Sequence, residues 1–548
     1  MTVGEALAVP GSARPAEVWR AGPGSVVPAS GSALRLHDLF DRRLQADPDQ
    51  AFLIGLDDTL TLRDIAVWVD RLADELSEAG VRRGDRVLTV AENSAPHVAL
   101  VLACSRLGAW SCGVNARASK GELAKLAGMA DARISYFTTG VSDAARAHAR
   151  DAGAGPSAIE GLSRSAPRSM ARAEEGELAD SVAAMIFTSG TTGESKGVMV
   201  SHAGLTHFGW VSAESRRLSP QDRSYACIPM THIFGLATVL AASLHAGSAL
   251  LMRARFDPAE VVDALAQYGL SQLQGPPAMF TRLLSYLDDR GIARPEAPAL
   301  RYLYAGAAPL DLGLKRAIEA RFGRPLHHGY GLSEYAGALC LPQLDEWRDD
   351  SAAGYLVVGG ELRIVTAEGR EAAVDEVGEI WMRGIGLMPG YFRNDEATAA
   401  VMRPGGWYAS GDLGRIDPNG ALHIVGRLKE MIIRSGFNVY PAEVERVLNE
   451  LAGVVRSAVI GRREADGNEE VIAFLEIAPG ACAPAPEQVQ AHVDEHLAPY
   501  KRPTQVIHRD AFPMTLSGKV LKRELLASIT PETESGNVPP SQPDRRQK

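Results

Sequence analysis

Ala183-Ala-Met-Ile-Phe187 runs straight into Thr188-Ser-Gly-Thr-Thr-Gly-Glu-Ser-Lys-Gly197. The first five residues form an unbroken apolar run that reads as a buried strand. The next ten hold five hydroxyls, three glycines and one lysine. Glycines let a backbone approach a ligand closely, and amides and hydroxyls at a strand end suit phosphate oxygens. Lys196 adds a compact positive charge. The segment predicts a phosphate cradle. It is not a Walker A loop, which requires G-x-x-x-x-G-K-[ST]. Five residues on from Gly190 stands Ser195, and Gly197 follows Lys196 where Ser or Thr is needed.

Outward from this loop, apolar strands alternate with amphipathic helices. Strands are predicted at Arg86 to Thr89, Tyr225 to Ile228, Ala249 to Met252 and Tyr302 to Tyr304. Helices are predicted at Pro258 to Tyr268 and Leu314 to Phe322. This alternation implies an α/β chain with substantial parallel sheet. After about Trp381 glycine and aspartate become denser, which predicts a small β-rich region. A strand at Leu422 to Val425, a polar crossover at Gly426 to Glu430 and a compact α/β segment to Ile529 follow. Its first clear helix starts at Pro441, since proline favours the first helical position. Residues 1–33 read as a loose leader and 530–548 as a disordered tail.

Composition excludes several classes of function. The chain has 548 residues, 46% hydrophobic and 23% charged, which fits a multidomain globular protein. A net charge of −10 argues against a general nucleic-acid binder. Five scattered cysteines without a C-x-x-C pattern exclude a disulfide framework, read as small buried hydrophobes and fit a cytoplasmic location. The longest apolar stretch, Phe234 to Met252, reads as a buried helix to about Leu244, a break at Gly247 and a short strand, not as a membrane span.

Further motifs stand in order along the chain: Pro229-Met-Thr-His-Ile-Phe-Gly235, Tyr304-Ala-Gly-Ala-Ala-Pro-Leu310, His327-His-Gly-Tyr-Gly-Leu-Ser-Glu334 and Trp407-Tyr-Ala-Ser-Gly-Asp412. Gly426-Arg-Leu-Lys-Glu-Met-Ile-Ile-Arg-Ser-Gly-Phe437 and Pro513-Met-Thr-Leu-Ser-Gly-Lys519 complete the series. Together with the 187–197 loop they resemble the adenylate-forming superfamily: acyl- and aryl-CoA synthetases, luciferase and peptide-synthetase adenylation domains. The look is closest to fatty-acyl and 4-coumarate-type CoA ligases. The resemblance covers roughly residues 35–528. Ser333 departs from the usual threonine but keeps the hydroxyl, and Ala352 to Gly359 departs from the usual Ser-Val-Gly start.

The resemblance implies a large adenylating domain at 34–425, made of layered α/β subdomains and a small β-rich one. It further implies a hinge at 426–430 and a small mobile α/β domain at 431–529. Magnesium ATP and a carboxylic acid would give acyl-AMP, and coenzyme A would then displace AMP. Thr188, Ser189, Gly190, Thr191, Thr192 and Lys196 would hold phosphates. Gly306, Ala307, Ala308, Gly329, Tyr330, Gly331 and Ser333 would line the adenine and α-phosphate, with Asp412 and Arg427 on the ribose. Glu334 would bind Mg²⁺. His232, Gly235, Gly306, Gly329, Leu332 and Ala336 would line the acyl pocket. Ser435, Gly436 and Phe437 would shape the CoA channel. Lys519 would drive adenylation, and the second domain would turn about Lys429.

No aspartate follows Phe234, so nothing there would pair with the ammonium of an α-amino acid. The small residues Gly235, Ala237, Gly306, Ala307, Gly329, Ala336 and Gly337 suggest room for a bulky hydrophobic, fatty or aryl acid. The alternative acceptor is a carrier protein, disfavoured because no insertion separates Asp412 from Arg427. The expected partners are small molecules without nucleic acid or a membrane span, and a homodimer is allowed.

Overall fold

The computed structural model describes residues 34–56, 58–189, 195–435, 437–463, 468–478, 480–514 and 520–529, with only the backbone of residue 189. Gly190, Thr191, Thr192, Gly436 and Lys519 lie outside the described residues, as do the leader at 1–33 and the tail at 530–548. The chain divides into two compact units, one ending at Leu428 and one beginning at Lys429.

The first unit holds two seven-stranded sheets. In one, the strands Arg86–Ala91, Trp110–Asn115, Ile134–Phe137 and Val182–Ser189 run parallel, and Ser195–Ser201 returns antiparallel beside the last of them. Arg86–Ala91 is buried at every residue, as expected for a parallel strand covered on both faces. In the other sheet, Arg223–Ala226, Ala249–Met252, Gln272–Gly275, Tyr302–Ala305 and Leu326–His328 are all parallel. Smaller antiparallel sheets follow, one of them carrying Gly360–Val365, Gly378–Gly384, Trp407–Ile416 and Leu422–Arg427. The mixed α/β architecture expected from the alternation is therefore present.

Helix starts follow local chemistry. Thr61 and Asp64 close a capping box on Leu62–Glu78, and Ser119 and Glu122 do the same on Lys120–Ala130. Asp311 caps Leu312–Phe322, which begins two residues before the predicted start at Leu314. Pro258–Gln267 ends one residue before the expected Tyr268.

Four expectations need correction. The strand predicted to reach Ile228 ends at Ala226, because the buried Asn93 amide takes the chain away from the sheet. It donates to the carbonyls of Ala226 at 3.1 Å and Ile228 at 2.8 Å, and its oxygen accepts from Met230 N at 2.9 Å. The apolar stretch after Ile233 opens as a π-helix, Phe234–Ala241, before one α-turn, a left-handed Gly247 and the expected strand. The strand from Leu422 continues to Arg427, two residues into the expected crossover, because it pairs with Asp412 to Ile416. Cys482 is exposed, unlike the other four cysteines.

The atypical 352–359 stretch has a clear task. Ala353 N donates to Leu422 O at 2.7 Å, and Leu422 N returns to Gly354 O at 2.9 Å. Gly354 has a φ of +81°, and a Cβ there would lie 2.2 Å from the Leu341–Pro342 peptide. The stretch stitches the Gly337–Leu341 strand to the strand that carries Arg427.

The second unit packs Pro441–Leu448 and Pro486–His496 on a sheet of Val454–Arg463, Glu469–Ile477 and Gln505–Arg509. Its core includes Val444, Val447, Val459, Val471, Leu475, Val489 and Val493. Among the described residues no helix is long and apolar enough to cross a membrane.

Candidate active site

Asp412 sits opposite Arg427 in the antiparallel ladder, and Arg427 Nε lies 3.2 Å from Asp412 Oδ1. Tyr330 OH donates to the other carboxylate oxygen at 2.7 Å. The local turn aims this carboxylate. Gly411 has a φ of +72°, its amide donates to Glu379 at 3.0 Å, and Asp412 N donates to Ser410 Oγ at 3.0 Å. Burial and the adjacent Asp412 charge together hold the Tyr330 phenol well above its ordinary range, so it remains a proton donor.

Glu334 lies in a single 3₁₀ turn after Leu332, with Ser333 buried beside it. Tyr391 OH donates to Glu334 Oε1 at 3.0 Å and approaches Tyr408 OH at 3.4 Å. Burial raises the Glu334 pKa. The nearby Asp412 charge adds to this, while Tyr391 and Lys196 oppose it. Lys196 Nζ stands 4.5 Å from the centre of the Tyr391 ring, a cation–π distance. The strand Ser195–Ser201 brings Lys196 there: Phe392 N donates to Gly197 O at 2.8 Å and Met199 N to Gly390 O at 3.1 Å. Residues from four separate motifs therefore meet around Tyr391 and Asp412.

Gly306 and Ala307 follow the Tyr302–Ala305 strand, and Ala307 takes a left-handed φ of +66°. Gly306 N donates to Gly275 O at 3.0 Å, which continues the ladder past the strand end. Ala308, like Ala307, is half-buried. His232 closes the turn begun at Pro229, its N–H donating to Pro229 O at 3.0 Å. Its Nδ1 accepts from Phe234 N at 3.2 Å, so in the neutral ring the proton is on Nε2.

The size expectation is corrected here. A Cβ on Gly235 would lie 2.3 Å from Pro229 O, and one on Gly306 would lie 2.7 Å from the Tyr304 ring. A Cβ on Gly329 would lie 2.6 Å from Tyr304 OH, and one on Gly337 would lie 2.3 Å from Phe208. These glycines are small because protein already fills the space. Gly331 likewise faces the Gly337 carbonyl, at 2.2 Å from a would-be Cβ. Ala336 is buried in a left-handed conformation and Leu332 is half-buried.

Thr188 pairs with Lys196 in the hairpin register. Lys429, Ser435 and Phe437 belong to the second unit. Lys429 lies in the 3₁₀ turn Leu428–Glu430, Ser435 N donates to Asn468 Oδ1 at 2.7 Å, and the Phe437 ring stacks on Tyr500 at 4.6 Å.

Sequence reading missed Tyr391, Tyr408 and Asn93. Tyr408 lay inside the quoted 407–412 block without a role, and Gly390-Tyr-Phe392 carried a signal only in its glycine before two aromatics. Asn93→Ala is expected to lower stability by about 1–3 kcal/mol, because it leaves buried backbone groups unpaired. It should also displace His232. Thermal melting checks the first effect, and an unchanged midpoint would show that the Asn93 clamp is dispensable.

A sequence profile of the AMP-binding enzyme family matches residues 40–392, and one of the AMP-binding enzyme C-terminal domain matches residues 443–519. The chain is 30% identical over 515 residues to 4-coumarate–CoA ligase 5 of Oryza sativa subsp. japonica, covering 90% of this chain and 95% of that one. It is 32% identical over 511 residues to a Mycobacterium tuberculosis ligase, 3-[(3aS,4S,7aS)-7a-methyl-1,5-dioxo-octahydro-1H-inden-4-yl]propanoyl:CoA ligase, covering 88% and 97%. Among solved structures, ATP-bound MatB from Rhodopseudomonas palustris matches with a TM-score of 0.78 and 30% identity, covering 90% of this chain and 99% of that one.

Proposed function

The chain belongs to the AMP-binding enzyme family and is an acid–thiol ligase, and from that premise we propose that it activates a hydrophobic, aryl or cyclic carboxylic acid. ATP and the acid give an acyl-adenylate and pyrophosphate, and coenzyme A then takes the acyl group and releases AMP. The observation that carries this reading is the meeting of Tyr330, Asp412 and Arg427 at one carboxylate, although Tyr330 stands 82 residues from Asp412 and 97 from Arg427 in the chain.

In this reading Asp412 accepts from the ribose hydroxyls, which an ionised carboxylate does with both oxygens. Tyr330 and the small residues at 306–308 and 329–331 receive the adenine. Lys196 and the Thr188–Lys196 loop hold the terminal phosphates, and the Ser333 hydroxyl meets the α-phosphate. The Glu334 carboxyl fits a magnesium ion, because a cation would relieve both its burial and the neighbouring Asp412 charge. Bound there, magnesium supplies charge neutralisation for the phosphates. His232 orients the acid at the mouth of its pocket. The barrier arises from bringing two anions together, so positioning and fixed positive charge carry most of the catalysis.

The second unit, with Lys519 near its end, then turns about Lys429 to exchange adenylation for thioester formation. Ser435 to Phe437 line the path of the incoming thiol. The five free cysteines fit a reducing compartment.

Lys429→Pro tests the turning step. Proline fixes φ and removes an N–H, so the second conformation should be denied while adenylation persists. The expected result is acid-dependent pyrophosphate exchange near the wild-type rate, with CoA-ester formation lowered by about tenfold or more. Full CoA-ester turnover in this variant would contradict a hinge at this position. Offering a holo carrier protein in place of CoA identifies the acceptor, and product formation only on the carrier would overturn the CoA step.

A further inference from the structure

The parallel sheet behind Gly306 has one face that is unusually polar. Register pairs Ser224 with Gln272, Gln272 with Tyr302, Gln274 with Tyr304 and Tyr304 with His327, so their side chains share this face. All six are buried. Ser224 Oγ, both amide atoms of Gln272, Gln274 Oε1 and His327 Nε2 lack hydrogen-bond partners among the described residues. Native proteins rarely bury so many polar atoms unpaired in one place.

Arg216 closes this face from the end of the helix His202–Ser215. Its guanidinium carbon stands 5.7 Å from the centre of the Tyr302 ring. Nε donates to Ser212 O at 2.7 Å, and Nη2 donates to Ser212 Oγ at 2.8 Å and to Thr238 O at 2.7 Å. These bonds account for helix capping and for a tie to the π-helix. They do not account for Nη1, which is buried without a partner among the described residues. The nearby Asp222 carboxylate, which acts on this guanidinium through space, is itself bonded to Arg301 and Ser271. Burial pushes Arg216 down to about 10, so it still carries its charge at neutral pH.

An aromatic wall connects this charge to the proposed reaction centre. Phe234 would lie 3.3 Å from a Cβ on Gly306 and meets the Tyr304 ring edge-on at 5.8 Å. Tyr304 stacks on Tyr302 at 6.1 Å, and Tyr302 stacks on His327 at 5.1 Å. Four residue steps of extended chain lead from Tyr302 to Gly306, which at ~3.3 Å each is about 13 Å.

Resting on the reading of this site as an acid-activating one, we propose that the acid carries a second oxygen function, a carboxylate or a carbonyl, at its far end. Arg216 Nη1 and the Gln272 amide receive that oxygen. The Phe234–Tyr304–Tyr302 wall packs the apolar span between the two ends.

The test compares matched acids in pyrophosphate exchange: an α,ω-dicarboxylic acid and an ω-1 keto acid of about ten chain atoms against the n-alkanoic acid of the same length. Wild-type enzyme is expected to prefer an oxygenated member by about tenfold or more in kcat/KM, because a site built for a hydrogen bond rejects an analogue that lacks it. Arg216→Met and, independently, Gln272→Leu are expected to bring that ratio towards one. A wild-type preference for the alkanoic acid overturns the inference, whether or not either variant folds. So does an unchanged ratio in both variants. Exchange with none of these acids or with any other carboxylic acid overturns the acid-activating reading itself, which distinguishes the two failures.

Discussion

Replacing Lys519 by alanine is expected to lower acid-dependent pyrophosphate exchange by about 10²–10³-fold, the usual loss when one preorganised charge is removed from a transition state. The two reactants are both anions, and the adenylation step needs a cation where the carboxylate meets the α-phosphate. Lysine offers a compact, strongly hydrated point charge that a planar guanidinium does not reproduce. The chain itself is sparing with this residue. It has nine lysines against forty-eight arginines, and three of the nine fall at 196, 429 and 519, inside the proposed phosphate loop, the proposed hinge and the last motif. Lys519→Arg is therefore expected to rescue little. Thioester formation from a supplied acyl-adenylate should persist in Lys519→Ala, because that step is assigned to the other arrangement of the second unit. Normal exchange in the alanine variant would remove Lys519 from the mechanism.

The second large effect is expected at Asp412. Truncation to alanine leaves Arg427 without its carboxylate and the buried Tyr330 hydroxyl without its acceptor. It also deletes the proposed ribose contact. The Arg427 side chain is 44% exposed, so the loss is set by the hydrogen bonds to the carboxylate, typically about 1.5–3 kcal/mol, or roughly 10-fold to 150-fold in kcat/KM for ATP. The loss should appear chiefly in KM for ATP, since the ribose contact is present in ground and transition states alike. Asp412→Asn keeps an acceptor for Tyr330 and should fall between the two. Steady-state kinetics with varied ATP, read beside a melting curve, separates lost binding from lost folding. Equal KM values in wild type and Asp412→Ala would contradict the ribose assignment.

The fold class was legible because parallel strands such as Val182–Ser189 and Tyr302–Ala305 carry continuous apolar runs, at 182–187 and 302–305, a pattern that survives without tertiary information. Element ends were less legible where a distant side chain set them. Nothing between residues 223 and 228 announces that Asn93, more than a hundred residues earlier, ends the strand at Ala226. The π-helix at Phe234–Ala241 has no periodicity of its own in so uniformly apolar a stretch. The 352–359 stretch looked like an unexplained departure because its partner, Leu422, lies on another strand.

Within the site, Tyr330, Glu334, Asp412 and Arg427 stood out through ordered motifs. Tyr391 did not, since its contribution is a hydroxyl on Glu334 and a ring under Lys196, both tertiary contacts. The glycines misled in the opposite sense. Their smallness suggested a roomy pocket, but the carbonyl of Pro229 and the ring of Tyr304 occupy the space. Arg216 was invisible for a similar reason: in sequence it is one more arginine after a helix, and only burial against Tyr302 sets it apart.

The most direct measurement is exchange of labelled pyrophosphate into ATP by the wild-type protein with magnesium present and every thiol withheld, with and without a panel of carboxylic acids. Exchange that requires an acid, followed by release of AMP and appearance of the CoA ester once CoA is added, is the predicted result. Exchange that ignores the acid, or none across a panel of fatty, aryl, cyclic and dicarboxylic acids, would contradict acid activation at the Tyr330–Asp412–Arg427 site.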